Sequence, residues 1–395
     1  MKLAVFSERF WPERGGGELA TYLILKLLAS TGDFEIDVYT GTQRPVQVPG
    51  ASIKTIEFLR VSNKIHLYLN MLGNKRCIEK AIKKADIVYI PRFSYPAISI
   101  AKKLGKRVII HLHDYQPISY TAVILSTEVH KPMSDFKRTL ILESRSDNMP
   151  RALASTLATP LTKLIRRWVG MADKIICVSK HHEEVVLKFA LEYRGKTTVI
   201  YNPAPPIPKI IKNLDNTPTF LYLGGSSHIK GFHIFLRASM ELLKRGVKAK
   251  FILTNNYTPR HQASIKRLNN IYGNVYILLG RISHANLLKL HKKAWGLIFP
   301  SIWEEPLPYA VLEATLLETV PVVSKVGGVP EIVSQKAQQF LVTPGDASEL
   351  ADKIENLATM DMKDVCEIGS VVKDYGREMF DAERIARQLA HIFEL

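Results

Sequence analysis

Short apolar runs alternate with helical patterns along the chain, which is typical of parallel β-sheets joined by crossover helices. Five runs in each half are predicted to be buried strands. They are Leu3–Ser7, Ile36–Thr40, Ile87–Ile90, Val108–Leu112 and Ile175–Val178, then Thr219–Leu223, Lys250–Leu253, Val275–Leu279, Gly296–Pro300 and Val320–Val323. The pattern therefore predicts an α/β protein with two Rossmann-like, doubly wound domains.

A proline-rich segment, Asn202–Pro208, separates the two halves. Proline excludes a continuing helix and favours an extended, semi-rigid linker. We expect one domain over residues 1–202, a second over 203–370, and an amphipathic helix over 371–395 that packs back on the first domain. Ligands of such sheets bind outside the carboxyl ends of the strands, so we expect a site assembled from both halves in a shared cleft.

Composition adds a strong charge bias. The 395 residues include 54 lysines and arginines against 37 acidic residues, a net charge of +17. This predicts an anionic partner, either phosphate on a small ligand, a nucleic acid or an anionic lipid. Three cysteines without metal-like spacing favour a reducing compartment. The amino terminus leads directly into a strand and no long apolar run occurs, so we expect a cytoplasmic protein without a membrane span.

Two glycine-rich turns each follow the first strand of a half. Gly15, Gly16 and Gly17 precede the first helix, and Gly224 begins a turn that reaches Lys230. Glycines let the backbone approach a ligand closely, N–H groups at a helix start favour an anion, and a lysine there suits a diphosphate. The alternatives are a plain tight turn and a solvated surface lysine.

Two histidines, His111 and His113, alternate at the end of the Val108–Leu112 strand and therefore share one face, with Asp114 next in the chain. No further metal ligands lie at suitable spacing, so no metal site is expected. His113 and Asp114 are the better candidates for function because they lie beyond the strand. The alternative is a strand-end histidine bonded to the backbone.

The strongest motif pairs Glu305 with Glu313, eight positions later and among apolar residues. Pro306 is expected to be the first residue of a helix, with Glu305 at its mouth and Glu313 two turns inside. The carboxylates would then lie about 12 Å apart along the axis. That spacing suits one ligand held at both ends, and it is too wide for a glycosidase pair, whose carboxyls lie about 5–10 Å apart.

Taken in order, these motifs resemble those of the retaining glycosyltransferase family 4, which has the two-domain GT-B fold. Glu305 and Glu313 match the family's Glu-x7-Glu motif, Lys230 its phosphate-binding lysine and His113 its cleft histidine. The motifs that follow in the family's order are Pro321–Val323, Gly327–Glu331 and Pro344–Asp346. The resemblance extends over nearly the whole chain and is strongest from Leu221 to Leu350.

The resemblance implies a role for each matching residue. Lys230 would neutralise the departing diphosphate, Glu313 would hold the ribose, and Glu305 would hold the transferred sugar. His113 would contact the sugar or phosphate, and Asp114 would lie on the acceptor side. The remaining donor-site residues would be Gly16, Gly17, Gly224, Arg281, Pro306 and Leu307. The family retains the anomeric configuration and usually needs no metal, so we expect a nucleotide diphosphate sugar as donor and no cofactor. The acceptor stays open among a glycan, a lipid-linked molecule and a small molecule.

Two positions depart from the family's pattern. Gly225 stands where the family usually has an arginine, and Arg281 could substitute for that cation. Leu307-Pro308 stands where the family often has Phe-Gly. Proline removes a backbone donor near the expected sugar site, so the identity of the donor sugar stays open.

Residues 151–170 form a basic, amphipathic stretch. The cations are Arg151, Lys163, Arg166 and Arg167, and the apolar residues at helical spacing are Leu161, Leu164, Ile165 and Trp168. Such a helix could lie on an anionic membrane surface. The favoured alternative is a helix that covers its own sheet and exposes a solvated charged face.

Other functions remain open on the same fold. A catalytically silent protein that binds a phosphate ligand or nucleic acid would explain the positive charge, although no nucleic-acid motif occurs and no nucleic-acid partner is expected. A nucleotide-sugar epimerase and a sugar phosphorylase are closer alternatives among enzymes.

Overall fold

The structure is a computed structural model, and it describes residues 1–13, 15–61, 63–145 and 149–394. The chain divides into two compact units. The first contains Met1–Ile124, Glu128–Pro205 and Phe380–Leu395, and the second contains Leu125–Thr127 and Pro206–Met379. Among the described residues, no helix combines the length and the apolar character needed to cross a bilayer.

The first unit is built on a seven-stranded sheet in the order β3-β2-β1-β4-β5-β6-β7, and the paired strands run parallel. Its strands are β1 (Lys2–Ser7), β2 (Glu35–Thr40), β3 (Ala51–Thr55), β4 (Ile87–Ile90), β5 (Arg107–Leu112), β6 (Lys174–Cys177) and β7 (Thr197–Val199). Its helices are α1 (Gly16–Ser30), α2 (Lys64–Gly73), α3 (Lys75–Lys83), α4 (Pro96–Lys103), α5 (Asp135–Glu143), α6 (Met149–Leu157), α7 (Leu161–Gly170), α8 (Lys180–Phe189) and the last helix of the chain, Ala382–Glu394.

The second unit has a six-stranded parallel sheet in the order β10-β9-β8-β11-β12-β13. Its strands are β8 (Thr219–Tyr222), β9 (Lys250–Thr254), β10 (Tyr276–Gly280), β11 (Gly296–Phe299), β12 (Val320–Ser324) and β13 (Leu341–Val342). Its helices are α9 (Phe232–Lys244), α10 (Pro259–Tyr272), α11 (His284–Leu290), α12 (Tyr309–Leu316), α13 (Val329–Ile332), α14 (Ala347–Ala358) and α15 (Met362–Met379). The predicted class, two doubly wound α/β units, is confirmed.

All ten predicted strands are present, and the three that the sequence pattern missed lie at sheet edges. β3, β7 and β13 are the outermost strands of their sheets. A central parallel strand is covered by helices on both faces and reads as a continuous apolar run, as in β4 and β11, where every residue is buried. β3 and β7 contain no buried residue and β13 has only two residues, so none of them produces that signal.

The end of the chain differs from the single helix expected over 371–395. It forms two helices: α15, which ends in the second unit at Met379, and the last helix, α16, which belongs to the first. The break falls at Asp381, whose carboxylate accepts a hydrogen bond from Arg384 N at 2.7 Å and so caps α16. α16 packs on α1 and buries Ile385, Leu389 and Phe393, which confirms that the C-terminal helix returns to the first unit.

Candidate functional site

The carboxyl edge of the second sheet gathers most of the predicted donor residues. Because its strands run parallel, their carboxyl ends meet at the same edge. Gly224 follows β8, Arg281 follows β10, Glu305 lies in the loop after β11, and Gly327 follows β12. Arg281 is exposed. The sequence motifs therefore converge, although up to about a hundred positions separate them in the chain.

Lys230 and Glu305 form an ion pair in this region. The Lys230 ammonium lies 2.6 Å from Oε1 of Glu305, and the Ser301 hydroxyl donates to the same oxygen at 2.9 Å. The lysine nitrogen also lies 5.4 Å from the ring centre of Phe299 and 5.3 Å from that of Trp303. Glu305 is buried, whereas the Lys230 side chain stays partly exposed. The aromatic rings and the carboxylate thus fix a cation whose remaining N–H donors can meet an anion.

Glycines let the loops of this edge approach one another. A Cβ on Gly327 would overlap the carbonyl oxygen of Glu305, and a Cβ on Gly231 would overlap that of Pro300. Both glycines have positive φ, +51° and +74°. Gly328 N donates to the Glu305 carbonyl at 2.8 Å. The backbone that carries Glu305 is therefore held directly by the glycine turn after β12.

The helix that follows Glu305 begins later than expected. Pro306 is not its first residue, because α12 starts at Tyr309 with Pro308 at the N-cap position. The residue before a proline is disfavoured in helical conformation, so Leu307 cannot be helical and the start moves beyond Pro308. Glu305 therefore lies in a loop and Glu313 only one turn inside the helix. The separation of about 12 Å, which assumed a continuous helix, does not apply. Leu307 itself is buried.

Glu313 is held by a residue that the sequence analysis missed, His284. Its Nε2 lies 2.7 Å from Oε1 of Glu313, which is buried. This hydrogen bond raises the pKa of His284 above its usual value. His284 is the first residue of α11, three positions after Arg281, so the polar turn after β10 indicated the region but not the pairing with Glu313, 29 positions later.

Gly225 occupies a position that has no room for the family's usual arginine. Its φ is +60°, and a Cβ would lie 2.9 Å from the Asn256 carbonyl oxygen and 3.3 Å from Cβ of Asn255. Any side chain here would be both strained and crowded by backbone. The local backbone conformation therefore explains why this chain has no arginine at this position.

In the first unit, the amino-terminal glycine turn meets His113 and an arginine that the sequence analysis did not identify. A Cβ on Gly17 would lie 2.8 Å from Nη1 of Arg92 and 3.5 Å from Cβ of His113. Gly16, at the start of α1, is exposed. Arg92 forms ion pairs with two buried carboxylates, Glu8 at 3.0 Å and Glu18 at 2.9 Å. It follows β4, at the same sheet edge as His113.

His111, on β5, and His113, directly after its end, lie on the same side of the chain, as predicted. Their rings stack with centres 4.5 Å apart, and His111 Nδ1 bonds the Tyr89 hydroxyl at 3.0 Å. Burial lowers the pKa of His113 well below its usual value, so the ring is neutral near pH 7. Both His113 ring nitrogens are buried, and neither has a hydrogen-bond partner among the described residues. Buried ring nitrogens without a protein partner can bond a water, an ion or a ligand atom.

Asp114 is partly exposed, and neighbouring groups of the first unit bond both its side chain and its backbone. Its carboxylate accepts a hydrogen bond from Gln116 N at 2.9 Å, and its carbonyl oxygen lies 3.3 Å from His182 Nε2. Burial raises the pKa of Asp114 to about 6.

A cavity of about 600 Å³ lies within the first unit, between α2, the loop after β5, and α6. Its polar lining residues include Glu8, Arg9, Asn63, Lys64, Gln116, Tyr120 and Arg151. Burial lowers the pKa of Lys64 to about 8, and its ammonium lies 3.5 Å from the centre of the Tyr120 ring. The cavity thus combines groups that bind hydroxyls with at least one partly buried cation.

The basic stretch 151–170 is split between two helices, α6 and α7, because the chain turns at Pro160. On α7, Ile165 and Trp168 are buried, and Trp168 packs edge-on against Tyr68. Arg166 pairs with Glu192. Ile165 and Trp168 of the predicted apolar face therefore cover the interior of their own unit, as the favoured alternative to membrane contact expects, whereas Leu164 is exposed.

The fold and the residues at its sheet edges define a glycosyltransferase of the GT-B class. Residues 203–373 match the family model described as Glycosyl transferases group 1, and residues 14–206 match that of Glycosyltransferase Family 4. The chain belongs to glycosyltransferase family 4.

Relatives and solved structures agree with this assignment. An uncharacterised glycosyltransferase of Methanocaldococcus jannaschii is 24% identical over 237 residues, which cover 56% of this chain and 60% of that protein. Sucrose-phosphate synthase of Thermosynechococcus elongatus has a TM-score of 0.72 at 17% identity and covers 100% of this chain and 98% of its own. Anabaena HepE in complex with UDP-glucose has a TM-score of 0.67 at 19% identity and covers 100% and 99%.

Among the described residues, no group of three or more His, Cys, Asp or Glu side chains is placed to hold a metal ion.

Proposed function

We propose that the chain transfers a hexose-type sugar from a nucleoside diphosphate sugar to an acceptor hydroxyl, with retention of the anomeric configuration. The observation that carries the proposal is the Lys230–Glu305 pair, at 2.6 Å beside the glycine turn after β8. One cation for the diphosphate and one carboxylate for the sugar lie next to each other. The similarity to HepE, whose structure contains UDP-glucose, supports a donor of this class.

The proposed reaction depends on the charges that develop on the diphosphate and on the sugar. The bond between the anomeric carbon and the diphosphate oxygen breaks, and its electron pair leaves with the diphosphate. Lys230 and the N–H groups of the turn at Gly224 meet that growing negative charge, while Glu305 holds hydroxyls of the sugar as it becomes cationic. The acceptor hydroxyl forms the new bond on the same face and releases its proton to a diphosphate oxygen. Because Lys230 supplies the positive charge, this mechanism needs no metal.

The remaining proposed roles belong to Glu313, to Arg281 and to residues of the first unit. Glu313, oriented by His284, holds the ribose hydroxyls. His113 is neutral and has unsatisfied ring nitrogens, so it can bond a sugar hydroxyl or a phosphate oxygen. Arg281 supplies the second phosphate cation in place of the arginine excluded at Gly225. The cavity lined by Lys64 and Gln116 receives the acceptor, a glycan, a lipid-linked molecule or a small molecule, and Asp114, two positions before Gln116, is assigned to the acceptor side. The three cysteines are free, which fits a reducing, cytoplasmic location.

A thermal-shift screen of nucleoside diphosphates and their sugars tests the proposal. A specific ligand raises the melting temperature by mass action, and Glu313→Ala should reduce that rise. Lys244→Ala, at the exposed end of α9, is the matched control. If no nucleotide shifts the wild-type protein while nucleic acid binds in a strongly salt-dependent manner, sugar transfer is the wrong function.

A further inference from the structure

Three consecutive helices of the first unit expose apolar side chains on their outer faces. We call this surface the hairpin face and define it by Phe136 and Leu140 on α5 and by Met149, Leu153 and Leu157 on α6. Leu164 on α7 extends it. Within each helix these residues are spaced by four positions, so they lie on one side. The exposed fractions reach 75% at Leu157 and 52% at Phe136, which is unusual for side chains of this size.

The helices that carry the hairpin face, α5 and α6, are anchored by buried residues of the first unit. α5 and α6 pack against each other, and Ala152 and Thr156 on the inner side of α6 are buried. On α5, the buried Arg138 lies 2.6 Å from the Glu128 carboxylate and 3.1 Å from that of Asp135. The apolar side chains are therefore displayed by helices that the interior holds in place.

The segment that carries the hairpin face exposes charges of one sign wherever the structure describes it. Among the described residues from 131 to 170, all exposed charged side chains are basic: Lys131, Lys137, Arg145, Arg151, Lys163 and Arg167. The two described acids that are only partly exposed are engaged internally. Asp135 accepts hydrogen bonds from Tyr120 N, and Glu143 pairs with Arg151.

We propose that the hairpin face docks on the surface of an anionic phospholipid bilayer. Apolar side chains on one face with basic residues around them match the boundary between lipid tails and anionic headgroups. A protein partner with a complementary apolar patch would not require the exposed charges of residues 131–145 and 149–170 to be basic without exception. The contact is through α5, α6 and Leu164 of α7, whereas Ile165 and Trp168 of α7 take no part because they are buried.

The position of α6 links this surface to the cavity. Arg151, Ala154 and Ser155 line the cavity, while Leu153 and Leu157 on the same helix belong to the hairpin face. A helix is about 10 Å across, so a bilayer under one side lies within that distance of the cavity. If the cavity receives the acceptor, a step that rests on the proposed function, the acceptor is a lipid-anchored molecule whose headgroup reaches the cavity from the bilayer.

Vesicle co-sedimentation tests the docking. We expect the wild-type protein to bind vesicles of phosphatidylcholine with 30% phosphatidylglycerol at least tenfold more tightly than pure phosphatidylcholine vesicles. The triple variant Phe136→Ser, Leu153→Ser, Leu157→Ser should lose at least tenfold in binding to the anionic vesicles. The control variant Leu69→Ser, Leu72→Ser alters exposed apolar residues of α2 in the same unit and should bind as the wild type does. Equal binding by the triple variant, or no preference for the anionic vesicles, would overturn the proposal.

A second variant keeps the test informative if the triple variant misfolds. Leu157→Trp adds one fluorophore at the most exposed position, and its emission should shift to the blue on anionic vesicles relative to the wild-type change. If the emission does not shift, the bilayer is not what covers this face. The same conclusion follows if the wild-type protein does not bind vesicles and dimerises through this face instead. The nucleotide thermal shift distinguishes membrane docking from sugar transfer. If the triple variant keeps a normal thermal shift but does not bind vesicles, it has lost docking and kept the donor site. A wild-type protein that binds vesicles without any nucleotide shift supports docking and rejects sugar transfer.

Discussion

The Lys230 ammonium lies 2.6 Å from Oε1 of Glu305, although 75 positions separate the two residues. This pair joins the glycine turn after β8 to the loop after β11, and it brings together the group proposed to meet the diphosphate and the group proposed to hold the sugar. A departing diphosphate would draw the lysine towards itself and leave the carboxylate for the sugar hydroxyls. The pair therefore places both groups ready for the two charges that develop in the reaction.

Lys230→Met should lower the turnover of the donor by about 10²–10³-fold, since a preorganised group that stabilises developing charge contributes on that scale. Glu305→Gln should lower turnover as well while keeping a hydrogen-bond partner for Ser301. Initial rates of sugar release from the donor measure both effects. Lys244→Met is the control and should keep wild-type rates; a Lys230→Met variant within threefold of wild type would contradict the assigned role.

Gly327→Ala should impair the site through the backbone. The added methyl group would overlap the Glu305 carbonyl, so the loop that carries Glu305 must move. Gly246→Ala is a close control, because Gly246 also has positive φ, +80°, but nothing lies within 4 Å of its Cβ position. Both variants share the strain of positive φ, about 1–2 kcal/mol, and only Gly327→Ala should weaken the nucleotide thermal shift. Equal loss in the two variants would mean that backbone strain alone is responsible.

The sequence predicts those parts of the molecule that depend on local pattern. Buried parallel strands have a continuous apolar signal, and Lys230, Glu305 and Glu313 stand in motifs with fixed spacing. His284 and Arg92 could not be found in this way, because each matters through a partner distant in the chain, Glu313 or Glu8. The start of α12 was predictable in principle, since Pro308 restricts Leu307, but the earlier Pro306 offered a competing helix start.

His284 should give the stability of the second unit a measurable pH dependence. Its folded pKa is raised by the hydrogen bond to Glu313, so its contribution is fully present below the unfolded pKa of about 6.5 and is lost as pH rises through the folded pKa. Between pH 6 and 8, the wild-type protein should therefore lose more unfolding free energy than His284→Gln does. The difference should stay below about 1 kcal/mol, because the ring is about one-third exposed and solvent screens the pair. Urea unfolding at a series of pH values measures it, and parallel curves for the two proteins would show that the pair contributes nothing.

Arg92→Met should destabilise the first unit by about 3–5 kcal/mol, because it leaves the buried carboxylates of Glu8 and Glu18 without their shared cation. Burial already raises the pKa of Glu18 against the opposing effect of Arg92. In the variant, the folded pKa of Glu18 should rise further above the unfolded value of about 4.3, so the stability of the variant should fall as pH rises from about 4.3 through the new folded pKa of Glu18.

The matched control for this variant is Arg60→Met, which removes an exposed arginine 3.7 Å from Glu57 and should cost less than about 1 kcal/mol. Urea midpoints at pH 5 and pH 8 distinguish the two variants. A destabilisation of Arg92→Met that is equal at both pH values would show that lost packing, and not unpaired charge, causes it.

Phe393→Ala should release the last helix from the first unit. The Phe393 ring is fully buried and packs edge-on against Tyr89 at 5.2 Å and Phe34 at 6.0 Å, and Arg107 donates to its carbonyl oxygen at 3.0 Å. Removing a buried phenylalanine side chain costs about 3–5 kcal/mol, and here the cavity would open beneath the end of α16. Leu191→Ala, which truncates an exposed side chain of the same unit, should cost little. Hydrogen exchange provides the decisive measurement: amides of α16 should lose protection first in Phe393→Ala, because the helix can detach without unfolding the sheet. If α16 and the central strands lost protection together, the helix would be an inseparable part of the first unit's core.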